Sequence, residues 1–160
     1  LDRITEGLLA DHSTYLRWIA DSFLISADNA HAVHPNYRQK MDATNCVYMN
    51  DGIVIKSHAG QKYTSDAVSV AVFRMICEKA GVPLQYFANR SDEAGGSTLG
   101  NIAMTQVSMN TVDIGLPQLA MHSAYETAGV KDTEYMVKAV ETFYASHIQA
   151  DSDGNYQINQ

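Results

Sequence analysis

The chain has 160 residues, 46% of them hydrophobic and 18% charged, with a formal net charge of −7, which is typical of one globular domain with a substantial core. The acidic balance, with no lysine or arginine block longer than a pair, excludes the electrostatic footprint of a nucleic-acid-binding protein. No apolar segment approaches the roughly 18 to 20 residues that cross a bilayer, and no signal-peptide pattern opens the chain, so we expect a cytoplasmic protein without a membrane partner.

The hydrophobic pattern predicts helices that alternate with strands. In chain order it predicts a helix at 2–20, a strand at 22–27, a loop at 36–51, a strand at 52–56, a helix capped by Thr64 or Ser65 and stopped at Gly81, a strand at 84–88, a helix at 97–108, a strand at 111–116 and a helix at 132–147. This alternation predicts an α/β layered sandwich with a mainly parallel or mixed sheet flanked by helices. We expect residues 1–149 to form one domain and residues 150–160 to be a polar tail that frays.

Residues that could bind a ligand follow the four predicted strands. In open α/β sheets, ligands bind beyond the carboxyl ends of the strands. We therefore expect the residues after these strands to meet at one site. In chain order they are Asp28, Lys56, the turn of Gly95 and Gly96, and His122.

The first strand leads into a carboxylate and two imidazoles, Asp28, His31 and His34, at three-residue intervals. A helix would spread these side chains around its circumference, and Pro35 biases His34 towards an extended backbone, so they can converge only in a turn. Carboxylate and imidazole together suit zinc, manganese or cobalt. The structural alternative is a capping aspartate with two hydrogen-bonded histidines, and the spacing does not identify the ligands.

The other candidates also have structural alternatives. His122 could be a core histidine, and Lys56 could extend its ammonium to solvent from the end of its strand. Gly95 and Gly96 precede a predicted helix, where free backbone N–H groups could bind a substrate carboxylate. No GK[ST] phosphate loop or GxSxG elbow occurs, and the two cysteines lack the spacing of a disulfide framework or a cysteine-zinc module.

Four blocks then identify a resemblance: SFLISADNAHAVHPNY, GIVIKSHAGQKYTSDAV, NRSDEAGGSTLG and VDIGLPQLAMHSAYE. In this order and spacing they resemble the aspartyl aminopeptidase family of dinuclear zinc exopeptidases, over residues 1–147. The resemblance implies two divalent metal ions, Zn²⁺ first with Mn²⁺ or Co²⁺ as alternatives, and a homo-oligomer that is usually a dodecamer. It also implies an activity in which a metal-activated water removes N-terminal Asp or Glu from peptides.

The same resemblance implies roles for five residues. It makes Asp28 and His122 metal ligands, and it places Lys56 in the pocket for an acidic substrate side chain. It gives His31 the role of orienting the ligands around the site, and His34 a contact with the substrate or its oxyanion. Asn29 departs from the Met that the family commonly has beside the ligand, which we expect to affect packing only.

A larger departure is that no HxD, HEE or DHEE block is present, so the family's remaining metal ligands and its general-base glutamate are absent from this chain. The chain resembles the C-terminal part of the enzyme, also without the inserted oligomerisation domain. We expect it to bind zinc weakly and to be inactive by itself. One alternative is a non-catalytic oligomerisation or binding module that retains the fold. Another is a self-contained mononuclear metal site of Asp28, His31 and His34.

Overall fold

The computed structural model of the protein describes residues 1–151 and 155–159. The helices are α1 (Asp2–Gly7), α2 (His12–Ala20), α3 (Ala67–Ala80), α4 (Leu99–Met104) and α5 (Val130–Tyr144), with a short 3-10 helix at Arg38–Lys40. The strands are β1 (Phe23–Ala27), β2 (Ala30–His31), β3 (Ile53–Ser57), β4 (Leu84–Ala88), β5 (Asn110–Gly115), β6 (Pro117–Leu119), β7 (Thr127–Ala128), β8 (His147–Ala150) and β9 (Tyr156–Asn159). The predicted α/β class is confirmed. Among these residues no helix combines the length and apolar character that crossing a membrane requires.

The central sheet has four strands in the order β1-β5-β3-β4. Strands β1 and β5 are parallel to each other, as are β3 and β4, whereas β3 and β5 are antiparallel. The sheet is therefore mixed, and its two halves run in opposite directions. The strands therefore do not share one carboxyl edge as in a fully parallel sheet, because β3 and β4 end at the opposite edge from β1 and β5.

Each face of this sheet has its own set of buried side chains. Ile53 and Ile55 of β3 pack with Phe73 of α3 in the main core, on the face that α3 and α5 cover. The alternate residues of β3 point to the other face, since side chains along a strand alternate. There Val54 packs with Phe87 in a smaller cluster, and the next residue on that face is Lys56.

Local interactions explain where the observed helices differ from the predicted ones. The predicted helix at 2–20 is broken in two: Leu9 has a positive φ of 55°, and the Asp11 carboxylate caps α2 by accepting the Thr14 N–H at 2.7 Å. The prediction that Thr64 or Ser65 caps α3 is also wrong, because Asp66 forms that cap. Helix α4 is shorter than the predicted 97–108, and α5 ends before the predicted His147, which begins β8.

The C-terminal segment was expected to be a polar tail at 150–160 that frays. Its described residues instead form a hairpin in which β8 pairs with β9 and Ile148 lies opposite Ile158. The Tyr156 hydroxyl accepts a hydrogen bond from the Asn110 side-chain amide, which ties β9 to the start of β5. Residues 152–154 and 160 lie outside the described part of the chain.

Candidate functional site

A cavity of about 140 Å³ brings together five of the seven residues that the sequence singled out. They are Asp28, His31, Lys56, Gly96 and His122. Tyr63 and Thr98 also line it, although nothing in the sequence pattern distinguished them. The cavity therefore combines Lys56, which lies in β3, with residues of the loops that follow β1, β4 and β6.

Asp28 follows β1 directly, and its backbone position depends on a glycine in the neighbouring strand. Its N–H donates to the Ile114 carbonyl at 3.0 Å, and the Ala30 N–H donates to the Leu116 carbonyl at 2.8 Å. Between these two bonds the chain passes so close to Gly115 that a Cβ there would overlap the Asp28 carbonyl oxygen. Glycine at this strand end thus permits the turn that exposes the Asp28 side chain to the cavity.

Lys56 is the most unusual charged residue of the site, because only 2% of it is exposed. Its Nζ donates to the backbone carbonyl of Asp28 at 2.9 Å and lies 5.1 Å from the centre of the Tyr63 ring. Burial lowers the Lys56 pKa, while the negative charges of Asp28 and Asp113 act in the opposite direction. The alternative in which Lys56 extends to solvent is therefore wrong.

His122 is exposed rather than part of the core, so its structural alternative is wrong. It has a positive φ of 66°, which side-chain-bearing residues rarely adopt, and its N–H donates to Glu126 Oε1 at 2.6 Å. His31, at the end of β2, has its pKa lowered by partial burial first and then by the charges of His122 and Lys56. All three residues line the same cavity.

His34 lies in a separate groove of about 270 Å³, which His31 also lines. Its ring packs on Tyr37 with centroids 5.0 Å apart, and its Nδ1 accepts the Asn36 N–H at 3.1 Å. Gly95 is likewise absent from the cavity lining, and its carbonyl accepts a hydrogen bond from Lys62 Nζ at 2.8 Å. The predicted substrate contacts of His34 and Gly95 stay predictions.

Two side chains at the cavity, Asp28 and His122, are of the types that bind zinc in proteins. An exposed carboxylate at Asp28 and an exposed imidazole at His122 are ligand types that zinc accepts. Zinc sites usually have four ligands, however, and within residues 1–151 and 155–159 no three His, Cys, Asp or Glu side chains are close enough to hold a metal. These two residues therefore fit part of a metal site, and the mononuclear alternative of Asp28, His31 and His34 finds no support.

Comparison with known proteins gives a consistent result. The family model described as aminopeptidase I zinc metalloprotease (M18) matches residues 1–144. A probable M18 family aminopeptidase 2 from Clostridium novyi is 50% identical over 144 residues, which are 90% of this chain and 33% of that protein. The chain therefore spans about a third of the length of the curated relatives that it matches.

Solved structures resemble the chain over a similar share. A chain in the cryo-EM structure of the Ape4 and Nbr1 complex has a TM-score of 0.82 and 39% identity, covering 84% of this chain and 26% of that one. The S. cerevisiae mApe1 dodecamer has a TM-score of 0.72 and 27% identity, covering 81% of this chain and 28% of that one. The described fold is thus the one found in these proteins.

Proposed function

The chain belongs to the M18 family of aminopeptidase I zinc metalloproteases, and we propose that it supplies part of the active site of a metal-dependent aminopeptidase that removes N-terminal Asp or Glu from peptides. In this proposal Asp28 and His122 each bind one of two divalent ions, most simply zinc. The other ligands and the general-base glutamate come from the upstream part of a longer polypeptide, since the relatives are about three times as long as the matched segment.

The proposed preference for acidic substrates rests on one observation, the buried ammonium of Lys56. Of its three N–H donors, one is used by the Asp28 carbonyl, so two remain for a ligand in the cavity. A desolvated cation is costly until an opposite charge pairs with it, which favours a substrate carboxylate over a neutral side chain. Gly96 borders the same cavity and offers backbone contacts to the substrate.

Bound metal ions would activate a water and polarise the scissile carbonyl. The chain's own residues have separate tasks around them. Because Lys56 bonds to the Asp28 backbone carbonyl, the Asp28 carboxylate stays free to act as a ligand. His31 lines the same cavity as His122 and has the task of orienting the site, and a homo-oligomer is supported by the dodecameric S. cerevisiae relative.

The test uses Lys56→Leu in the complete enzyme, with aspartyl, glutamyl and alanyl p-nitroanilides as substrates. Leaving the substrate carboxylate without its partner should lower kcat/KM for the two acidic substrates on the order of 100-fold, with little change for the alanyl substrate. Lys79→Leu, on the exposed last turn of α3, is the matched control and should change neither. An equal loss for all three substrates would remove Lys56 from the specificity pocket.

A second candidate function is a non-catalytic binding or oligomerisation module with the aminopeptidase fold. It is favoured by one observation, that the described residues contain no complete set of metal ligands. The two candidates differ in whether the chain contributes to metal binding at all, which zinc titration decides.

A further inference from the structure

A row of buried polar side chains crosses the central sheet on the cavity face. Ile55 of β3 lies opposite Ile114 of β5, so the next residues along, Lys56 and Asp113, face each other across these antiparallel strands. Asp113 in turn pairs with Ser26 of β1. Lys56, Asp113 and Ser26 are 2%, 0% and 6% exposed, so the row is sealed from bulk water.

Asp113 ties the segment before α3 to this row. Its Oδ2 accepts two hydrogen bonds from Thr64, one from the N–H at 2.7 Å and one from the hydroxyl at 2.8 Å. The backbone of Asp113 is also bonded to Ser65, whose Oγ accepts the Asp113 N–H at 3.0 Å. Asp113 therefore holds both Thr64 and Ser65, the two residues that the sequence predicted as caps of α3.

Tyr63 immediately precedes this anchored pair. Its ring lines the cavity, lies 5.1 Å from Lys56 Nζ and makes an edge contact with Phe87 at a centroid distance of 6.4 Å. The Lys56 ammonium thus has two contacts within the described residues, a hydrogen bond to the Asp28 carbonyl and this ring. The ring also makes an edge contact with His58 at a centroid distance of 5.8 Å, while the bonds to Asp113 hold Thr64, the residue that directly follows Tyr63.

The second carboxylate oxygen of Asp113 has no hydrogen-bond partner in the described part of the chain. A buried, partly unsatisfied carboxylate is costly, and an amide or a hydroxyl could have held Thr64 at lower cost. A negative charge becomes favourable at this position because a buried cation, Lys56, occupies the facing position on β3.

We propose that Asp113 is a positioning residue for substrate selection: its carboxylate fixes Thr64, Thr64 holds the Tyr63 ring against the Lys56 ammonium, and the ammonium is thereby aimed into the cavity. The proposal rests on the acidic-substrate pocket proposed above. Asp113 itself does not contact the substrate, so its effect is on the binding of acidic side chains and not on the chemical step.

The kinetic test uses Thr64→Val in the complete enzyme, because removal of the buried Asp113 could unfold the chain. Loss of a hydrogen bond to a charged acceptor should raise KM for aspartyl and glutamyl p-nitroanilide about tenfold, with kcat and the alanyl substrate changed less than about twofold. Thr64→Ser restores the hydroxyl and should restore KM. Equal losses for all substrates, or no rescue by serine, would show that Thr64 has a structural role only.

A second measurement on the 160-residue chain separates this proposal from the proposed function. In NMR spectra, the Lys56 Hε resonances should show an upfield ring-current shift from Tyr63 in the wild-type chain and in Thr64→Ser, and lose it in Thr64→Val. A shift that persists in Thr64→Val refutes the positioning by Asp113, whatever the kinetics show. If the shift behaves as expected but the wild-type enzyme has no acidic preference, the positioning stands and the acidic-substrate function fails.

Discussion

Gly115→Ala should disrupt both the sheet and the cavity, because the added Cβ would meet backbone on the neighbouring segment. The methyl group would overlap the Asp28 carbonyl and lie 3.0 Å from the Ala30 nitrogen, and neither can move as a flexible side chain would. Overpacking of this kind costs about 1–3 kcal/mol. The displacement would also weaken the bonds of the Asp28 and Ala30 N–H groups to β5 and the segment after it, at about 1 kcal/mol each.

We therefore expect Gly115→Ala to lower the free energy of unfolding by about 3–5 kcal/mol, a large share of the roughly 5–15 kcal/mol of a typical domain. Urea denaturation followed by circular dichroism measures this change. Gly96→Ala is the matched control, because it borders the same cavity but a Cβ there meets nothing within 4 Å. A loss below about 1 kcal/mol for Gly115→Ala would contradict the close approach of Asp28 to β5.

The remaining predictions concern His122 and the binding of zinc. His122→Gly should be more stable than His122→Ala by about 1 kcal/mol in urea denaturation, because only glycine adopts the positive φ without strain, and equal stabilities would contradict that backbone conformation. Isothermal titration of the 160-residue chain should show weak zinc binding that His122→Ala reduces and that Asp28→Ala combined with His122→Ala abolishes. Tight binding of two zinc ions would contradict the incomplete ligand set, and the absence of any zinc binding that depends on these two residues would favour the non-catalytic module.

The sequence was sufficient to predict the four strands of the central sheet and the residues that follow them. It could not predict strand direction, because apolar strands buried on both faces carry the same pattern whichever way they run. The two histidines after Asp28 also looked equivalent, yet the Val33 N–H between them donates to the Val47 carbonyl at 2.9 Å, and His34 lies in the separate groove.

The anchoring of Thr64 could not be predicted either. Threonine and serine before an apolar helical pattern indicate caps, and Asp66 beside them is an equally good cap. Asp66 caps α3, while Thr64 instead bonds to Asp113, which lies 49 residues away from it in the sequence. Contacts of this kind depend on the sheet register, so neither Asp113 nor Tyr63 had a local signal.

The reversal of strand direction between β5 and β3 gives the cavity two sides with different chemistry. Asp28 and His122 belong to the side that follows β1 and β6, whereas Lys56 comes from the oppositely directed β3. The sides are joined by the bond from Lys56 Nζ to the Asp28 carbonyl, which leaves the carboxylate uninvolved. A change at Lys56 can therefore alter the preferred substrate side chain while the proposed metal ligands keep their donor atoms, so substrate specificity and metal binding can be separated by mutation.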